Sequence, residues 1–252
     1  MNYKNIKVEK RENYAIIEIA NNKNNSLDQK TLNEIGDAAK DLNKLKEIRC
    51  IGLIGGSKFF SPGADIKELE KLDSKKAKKQ KLFSKVDDLQ KIDIPIISFI
   101  EGYALGGGFE LALSSDLIIS SSEAKFGLPE INLGLIPGIG GTQKTKKFTS
   151  NQNIKYLAMS GDIIDAETAM RYGIVSQIIP KENFKDFTIN FLNKISSKPK
   201  KSLQIIKELV NSEENLKRSL KKERQEFYKL LDSDNKKIGI NSFLNKTKPN
   251  WK

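Results

Sequence analysis

Five short apolar runs punctuate the chain: Tyr14–Ile19, Cys50–Ile54, Pro95–Ile100, Leu117–Ser120 and Ile174–Ile179. Each has the length of a strand and falls short of a packed helix, and most are rich in β-branched residues. Only Tyr14–Ile19 alternates in polarity; the others are close to continuously apolar, as strands buried on both faces are. Between the first two runs, Leu27, Leu32, Ile35, Ala38, Ala39, Leu42 and Leu45 recur at three- and four-residue intervals, which predicts an amphipathic helix with Ser26 as its N-cap. Strands separated by helices place the chain in the α/β class. Beyond about Lys200, Leu203, Ile206, Leu209 and Val210 keep a helical spacing. The expected organisation is a core over residues 1–195, carrying the active site, and a helical segment over 196–252. Residues 66–89 are charged, and the lysines at 71, 75, 76, 78, 79, 81 and 85 share no tight face, so a solvated helix or loop is expected there.

The composition narrows the chemistry. The 252 residues include no histidine, which removes Ser-His and Cys-His nucleophiles and the usual histidine metal sites. No metal centre is expected, and acid–base work falls first to carboxylates. The single cysteine, Cys50, excludes an internal disulfide and lies within an apolar run, so its expected role is structural. No apolar run approaches the roughly 18 residues of a membrane span. Residues 1–11 mix Lys with Glu, unlike a signal or transit peptide, and a cytoplasmic location is expected. The net charge of +12 favours anionic partners without choosing among nucleic acid, membrane surface and phosphorylated small molecules. No nucleic-acid module is recognisable, so nucleic-acid binding through the basic surface is kept only as a rival from another class.

Two glycine loops each follow an apolar run. Ser61-Pro62-Gly63-Ala64-Asp65 is one, and Gly106-Gly107-Gly108, opening a short apolar helix, is the other. Such loops are ordinary turns, phosphate cradles, or a pair of backbone donors forming an oxyanion hole. The Gly106–Gly108 run lacks the G-x-G-x-x-G spacing of dinucleotide sites, and no Walker lysine follows it. Glu110 lies in the apolar setting Phe109-Glu110-Leu111-Ala112-Leu113, and Glu130 follows Pro129 ahead of a Gly/Pro-rich stretch ending at Gly141. Taken singly, each carboxylate faces either solvent or a site.

Three segments together resemble the crotonase (enoyl-CoA hydratase/isomerase) superfamily. They are Phe60–Lys67, Gly102–Ala112, and Phe126–Glu130 running on through Leu133–Gly138 to Gly140–Gln143. They stand in the family's order and spacing, and the resemblance covers essentially the whole chain. It implies a spiral of repeated β-β-α units with a C-terminal helical segment. It also implies an oxyanion hole from the N–H groups of Ala64 and Gly107, and an acyl-CoA site lined by Ala64, Asp65, Ile66, Lys67 and Gly107. Glu110 and Glu130 stand at both catalytic carboxylate positions of the hydratases, whereas the isomerases typically keep only the one at Glu130. The implied activity is reversible syn hydration of a 2-enoyl-CoA, with a lean towards the four-carbon crotonyl-CoA/3-hydroxybutyryl-CoA pair of fatty-acid or butyrate metabolism. An isomerase, or another acyl-CoA enzyme of the superfamily, is the alternative. No cofactor is implied beyond the coenzyme A of the substrate. Phe227, Phe243 and Lys246 resemble the residues that close the CoA site, often from a neighbouring subunit, and a homotrimer or homohexamer is implied. Two departures stand out. Pro62 occupies a position that is more often a small residue, keeping its carbonyl but offering no N–H. The approach Lys23-Asn24-Asn25-Ser26-Leu27 is shorter than the usual Pro-containing one, which weakens the transfer of a CoA contact onto Lys23.

Overall fold

The computed structural model describes residues 3–21 and 24–251, so Lys23 lies outside the described residues. Its strands are β1 (Ile6–Lys10), β2 (Tyr14–Ile19), β3 (Cys50–Ile54), β4 (Phe59–Ser61), β5 (Ile96–Ile100), β6 (Tyr103–Leu105), β7 (Leu117–Ser121), β8 (Lys125–Gly127), β9 (Ile163–Asp165) and β10 (Gln177–Ile179). They form a six-stranded sheet in the order β1-β2-β3-β5-β7-β10 and a four-stranded sheet in the order β4-β6-β8-β9. The large sheet is parallel from β2 to β10, with β1 antiparallel on its edge. All five apolar runs contribute a strand to it. The last begins later than expected, because Ile174 and Val175 are core residues of the approach to β10 rather than part of the strand.

The large sheet and the small one are traversed alternately. The chain passes from β3 to β4, from β5 to β6 and from β7 to β8 through links of two to four residues, and a helical segment follows each short strand. This is the repeating β-β-α unit. The short strands are too small for sequence periodicity to reveal, and they exist through pairing with each other. Parallel pairing sets β4, β6 and β8 side by side, with Phe59 opposite Tyr103, Tyr103 opposite Lys125, and Leu105 opposite Gly127. Their C-terminal ends therefore emerge together, as ligand-bearing loops do in parallel sheets.

The helices are α1 (Gln29–Lys44), α2 (Ile66–Glu70), α3 (Ser74–Gln80), α4 (Ser84–Asp87), α5 (Gly107–Ala112), α6 (Gly141–Lys144), α7 (Asn151–Ser160), α8 (Ala166–Arg171), α9 (Lys181–Ser196), α10 (Lys200–Val210), α11 (Leu216–Leu231) and α12 (Asp234–Leu244). In α1, Leu32, Ile35, Ala38, Ala39 and Leu42 are buried, as their spacing predicts. Its N-cap is Asp28 rather than Ser26: the Asp28 carboxylate accepts from Thr31 N–H at 2.7 Å. Cys50 is fully buried against α9, its thiol pushed up to about 12 by burial, which fits a structural residue and no nucleophile. Helices α11 and α12 bury no residue and leave Phe227, Tyr228, Ile240, Phe243 and Leu244 exposed. Among the described residues no helix is long and apolar enough to cross a membrane.

Candidate active site

Each short strand delivers one part of a common cavity. Beyond β4 the chain turns through Pro62 and Gly63, whose φ is +99°, to Ala64. Leu27 N–H donates to Gly63 C=O and Asp65 N–H to Leu27 C=O, so Ala64 is held from both sides while its own N–H has no protein acceptor among the described residues. Beyond β6, Gly106 (φ +48°) turns the chain into α5, and the N–H of Gly107, the first residue of that helix, is likewise without an acceptor. The two amides face the same space. A Cβ built on Gly107 would lie 3.8 Å from Ala64 N, and one built on Gly63 would lie 3.1 Å from Gly107 N. Beyond β8, Leu128 and Pro129 lead into a 3₁₀ turn, Pro129–Leu133, that carries Glu130.

The triple glycine has a separate reason at each end. Gly106 takes a left-handed φ and lies under the Glu130 carboxylate, where a Cβ would come within 3.2 Å of Oε1. Gly108 lets α5 lie on β4, since a Cβ there would collide with the Ser61 carbonyl oxygen and stand 2.7 Å from Ser61 Cβ. Gly108→Ala should therefore destabilise the fold by about 1–3 kcal/mol or more, because backbone rather than a pliable side chain is in the way. Chemical denaturation measures this, and an unchanged midpoint would mean that α5 does not need this close approach.

Glu110 is 2% exposed, on the buried face of α5. Its Oε1 accepts N–H bonds from Ile139 at 2.8 Å and Gly141 at 2.6 Å. Burial holds its pKa above the usual carboxylate range, and the amides of Gly141, Ile139 and Gly138, and then the charge of Lys144, offset only part of that rise. Glu130 is half-buried as a residue, but both carboxylate oxygens are buried and have no hydrogen-bond partner. Burial pushes its pKa up to about 7; its own backbone N–H opposes that shift, and the neighbouring Glu110 adds to it. The two carboxylates are thus unequal. Glu110 accepts two N–H bonds that favour its anion, whereas only its own backbone N–H favours a charge on Glu130.

These groups border one cavity of about 310 Å³, together with Ala64, Asp65, Ile66 and an apolar wall that includes Leu27, Leu32, Leu69, Leu72, Leu82, Phe83, Leu133, Leu135, Ile136 and Ile139. Of the residues predicted from sequence, the cavity brings together Ala64, Asp65, Ile66, Gly107, Glu110 and Glu130. The Asp65 side chain also caps α2, accepting from Lys67 and Glu68 N–H. Lys67 is exposed on α2 and does not border the cavity. Phe227, Phe243 and Lys246 are exposed on and after the C-terminal helices, and none of them reaches the site within its own chain.

Two parts of the site escaped the sequence reading. Residues 66–89 are more than a solvated helix. They form α2, α3 and α4, bury Val86, and turn Leu69, Leu72, Leu82 and Phe83 onto the cavity. Those apolar residues among the lysines were the available signal. The Ile139 and Gly141 amides that hold Glu110 come from a loop about 30 residues away and leave no mark in residue type, since any residue carries an N–H.

Two free amides converging above a pair of unequal carboxylates, in a mostly apolar cavity, define a class of site. It can polarise a carbonyl oxygen and move protons at the carbons beside it. The enoyl-CoA hydratase/isomerase family model matches residues 9–252. A probable mitochondrial enoyl-CoA hydratase of Dictyostelium discoideum is 37% identical over 229 residues, covering 90% of this chain and 83% of that protein. A crotonyl-CoA hydratase of Syntrophomonas wolfei is 33% identical over 260 residues, covering 100% and 99%. The crystal structure of an enoyl-CoA hydratase subunit from Geobacillus kaustophilus superimposes with a TM-score of 0.93 at 34% identity, covering 99% of this chain and 98% of that one. The chain belongs to the enoyl-CoA hydratase/isomerase family and has its crotonase-type fold.

Proposed function

We propose that the protein is an enoyl-CoA hydratase, which adds water reversibly across the double bond of a 2-enoyl-CoA to give a 3-hydroxyacyl-CoA. The observation that carries this reading is the presence of both glutamates, in unequal environments, around one pair of free amides. The thioester oxygen accepts from Ala64 and Gly107 N–H, which stabilise the negative charge it gains; one such donor is worth about 3 kcal/mol in comparable sites. Gly107 opens α5, so the positive end of the helix points the same way. Glu110, as the carboxylate, accepts a hydrogen bond from water and takes its proton as the oxygen bonds to C3. Glu130, in its acid form, gives its proton to C2. Syn addition is the proposed stereochemistry, with both glutamates bordering one cavity. The net result is one water consumed and a proton passed from Glu130 to Glu110, which then re-equilibrates through solvent. No separate cofactor takes part.

Short acyl chains, crotonyl-CoA first, are the proposed substrates; the modest cavity of about 310 Å³, with Leu72, Leu82 and Phe83 in its apolar lining, supports this. Asp65 and Ile66, which border the cavity, and Lys67 beside them on α2 are the proposed contacts of the CoA moiety. The exposed apolar residues of α11 and α12 support a role for the segment after residue 195 in subunit contact, with Phe227, Phe243 and Lys246 completing a neighbour's CoA site in a homotrimer or homohexamer. The test is a panel of 2-enoyl-CoAs from crotonyl-CoA to long-chain homologues. Loss of the conjugated double-bond absorbance, fastest with the shortest chains, is expected, with chiral analysis of the product. Turnover of 3-enoyl-CoAs to 2-enoyl-CoAs without hydration would make the enzyme an isomerase instead.

A further inference from the structure

Lys144 is a buried cation that the proposed chemistry does not use. It ends α6 and is only 8% exposed. Its Nζ donates to Ser114 Oγ at 2.7 Å, and Ser114 Oγ donates in turn to the backbone C=O of Glu110 at 3.0 Å. Among the described residues no carboxylate oxygen makes an ion pair with that ammonium; its hydrogen-bond partner is a neutral hydroxyl. A buried charge held this way is costly unless charge nearby compensates it. The acidic groups facing it are Asp87, at the end of α4, and Glu110 on α5, while Lys147 opposes it from the next turn. Its stem has a second contact. A Cβ on Gly140 would meet Lys144 Cε at 3.0 Å and Cδ and Cγ at 3.2 Å, so the methylenes lie directly on Gly140. Gly140 has φ +103° and stands between Ile139 and Gly141, the two residues whose amides hold Glu110. Lys144 N–H also donates to Gly140 C=O at 2.7 Å, closing the turn on itself.

We propose that Lys144 is a positioning residue for the hydration step: its stem pins the loop that presents the Ile139 and Gly141 amides to Glu110, and its ammonium, linked through Ser114 to the helix of Glu110, biases the negative charge shared by the two glutamates towards Glu110. This inference deepens the hydratase reading and rests on it for its consequence in turnover, but not for its physical content. With Lys144 in place, Glu110 is the anion and Glu130 the acid; without it, the two carboxylates become more alike and the base is lost to protonation first. Burial then governs the ionisation of Glu110, opposed by the amides of Gly141, Ile139 and Gly138, with the carboxyl of Glu130 its acidic neighbour.

The test compares Lys144→Met with Lys144→Arg. Lys144→Met should lower kcat for crotonyl-CoA hydration about tenfold at neutral pH and move the acidic limb of kcat upward by about one pH unit, with KM little changed. Lys144→Arg should restore both. A second readout needs no turnover. In a Glu130→Gln background, carbon NMR of labelled glutamate follows Glu110 directly, and its protonation should begin at higher pH when Lys144 is also replaced. If Lys144→Met fails to fold, Lys144→Gln, which keeps a donor for Ser114 without the charge, is measured in the same way. An unmoved Glu110 titration together with an unmoved pH profile in a folded variant would falsify the inference, since a merely structural lysine lowers stability without shifting either. Absence of enoyl-CoA hydration by the wild-type protein, with the Glu110 titration still shifted when Lys144 is replaced, would overturn the hydratase reading and leave the positioning of Glu110 standing.

Discussion

Glu110→Gln and Glu130→Gln should each lower kcat for crotonyl-CoA hydration by about two to four orders of magnitude, the range for loss of a positioned acid or base. The reasons differ at the two positions. An amide at 110 can still accept from the Ile139 and Gly141 N–H groups, which donate to Glu110 at 2.8 and 2.6 Å, so the loop should stay in place. What disappears is a group that can take a proton from water. An amide at 130 has no acidic proton to give to C2. Because the Glu130 oxygens lack a protein partner, no hydrogen bond within the chain is broken by the exchange. KM should change far less than kcat, since CoA recognition lies elsewhere. The double variant should be little worse than the poorer single one, as with other groups that act as a unit. Steady-state kinetics with circular dichroism as a control measure this, and near wild-type turnover in either folded variant would remove that residue from the mechanism.

Hydration should slow as the pH rises through about 7, towards a tenfold fall per pH unit at the alkaline end, because Glu130 is pushed up to about 7 and its acid form is the proton donor. The same shift has a consequence for stability. A carboxyl group whose folded pKa lies above its unfolded value of 4.5 binds its proton more tightly in the native state, so it lowers stability progressively as the pH climbs from about 4.5 to about 7. The ceiling of about 3 kcal/mol for a shift of this size falls to about 1–2 kcal/mol once partial solvent screening is allowed for. Glu130→Gln should therefore be more stable than wild type at pH 8 and nearly equal to it at pH 4. Thermal melts at the two pH values check the sign. A Glu130→Gln protein stabilised equally at both would show that Glu130 is not held neutral by its surroundings. A pH-independent kcat across this range would show that its proton is not the one delivered.

Much of the frame is written in local pattern. The five apolar runs name the strands of the large sheet apart from its β1 edge, because strands buried on both faces must be apolar throughout. The Glu110 and Glu130 positions and the two glycine loops are also legible, since left-handed turns and close backbone approaches restrict residue type. Beyond residue 200, helical spacing foretold the helices but not their state: α11 and α12 carry apolar side chains and bury none.

Only the tertiary structure decided three further things. Ser26 looked like the cap of α1 because serine caps well, but Asp28 does it, being placed to reach Thr31 N–H. Residues 66–89 looked like a solvated lysine-rich stretch, yet some of their apolar side chains line the cavity, a use that depends on what lies opposite and not on spacing. The asymmetry between the two glutamates was not readable at all. The same side chain occupies both positions, and the difference is made by amides and a lysine 29 to 34 residues further along the chain from Glu110. The sequence by itself determined which groups are available for chemistry, because each type of side chain has a fixed inventory of donors, acceptors and protons. Which carboxylate holds the charge was decided by folding, because desolvation and hydrogen bonding act only between groups the fold has brought together.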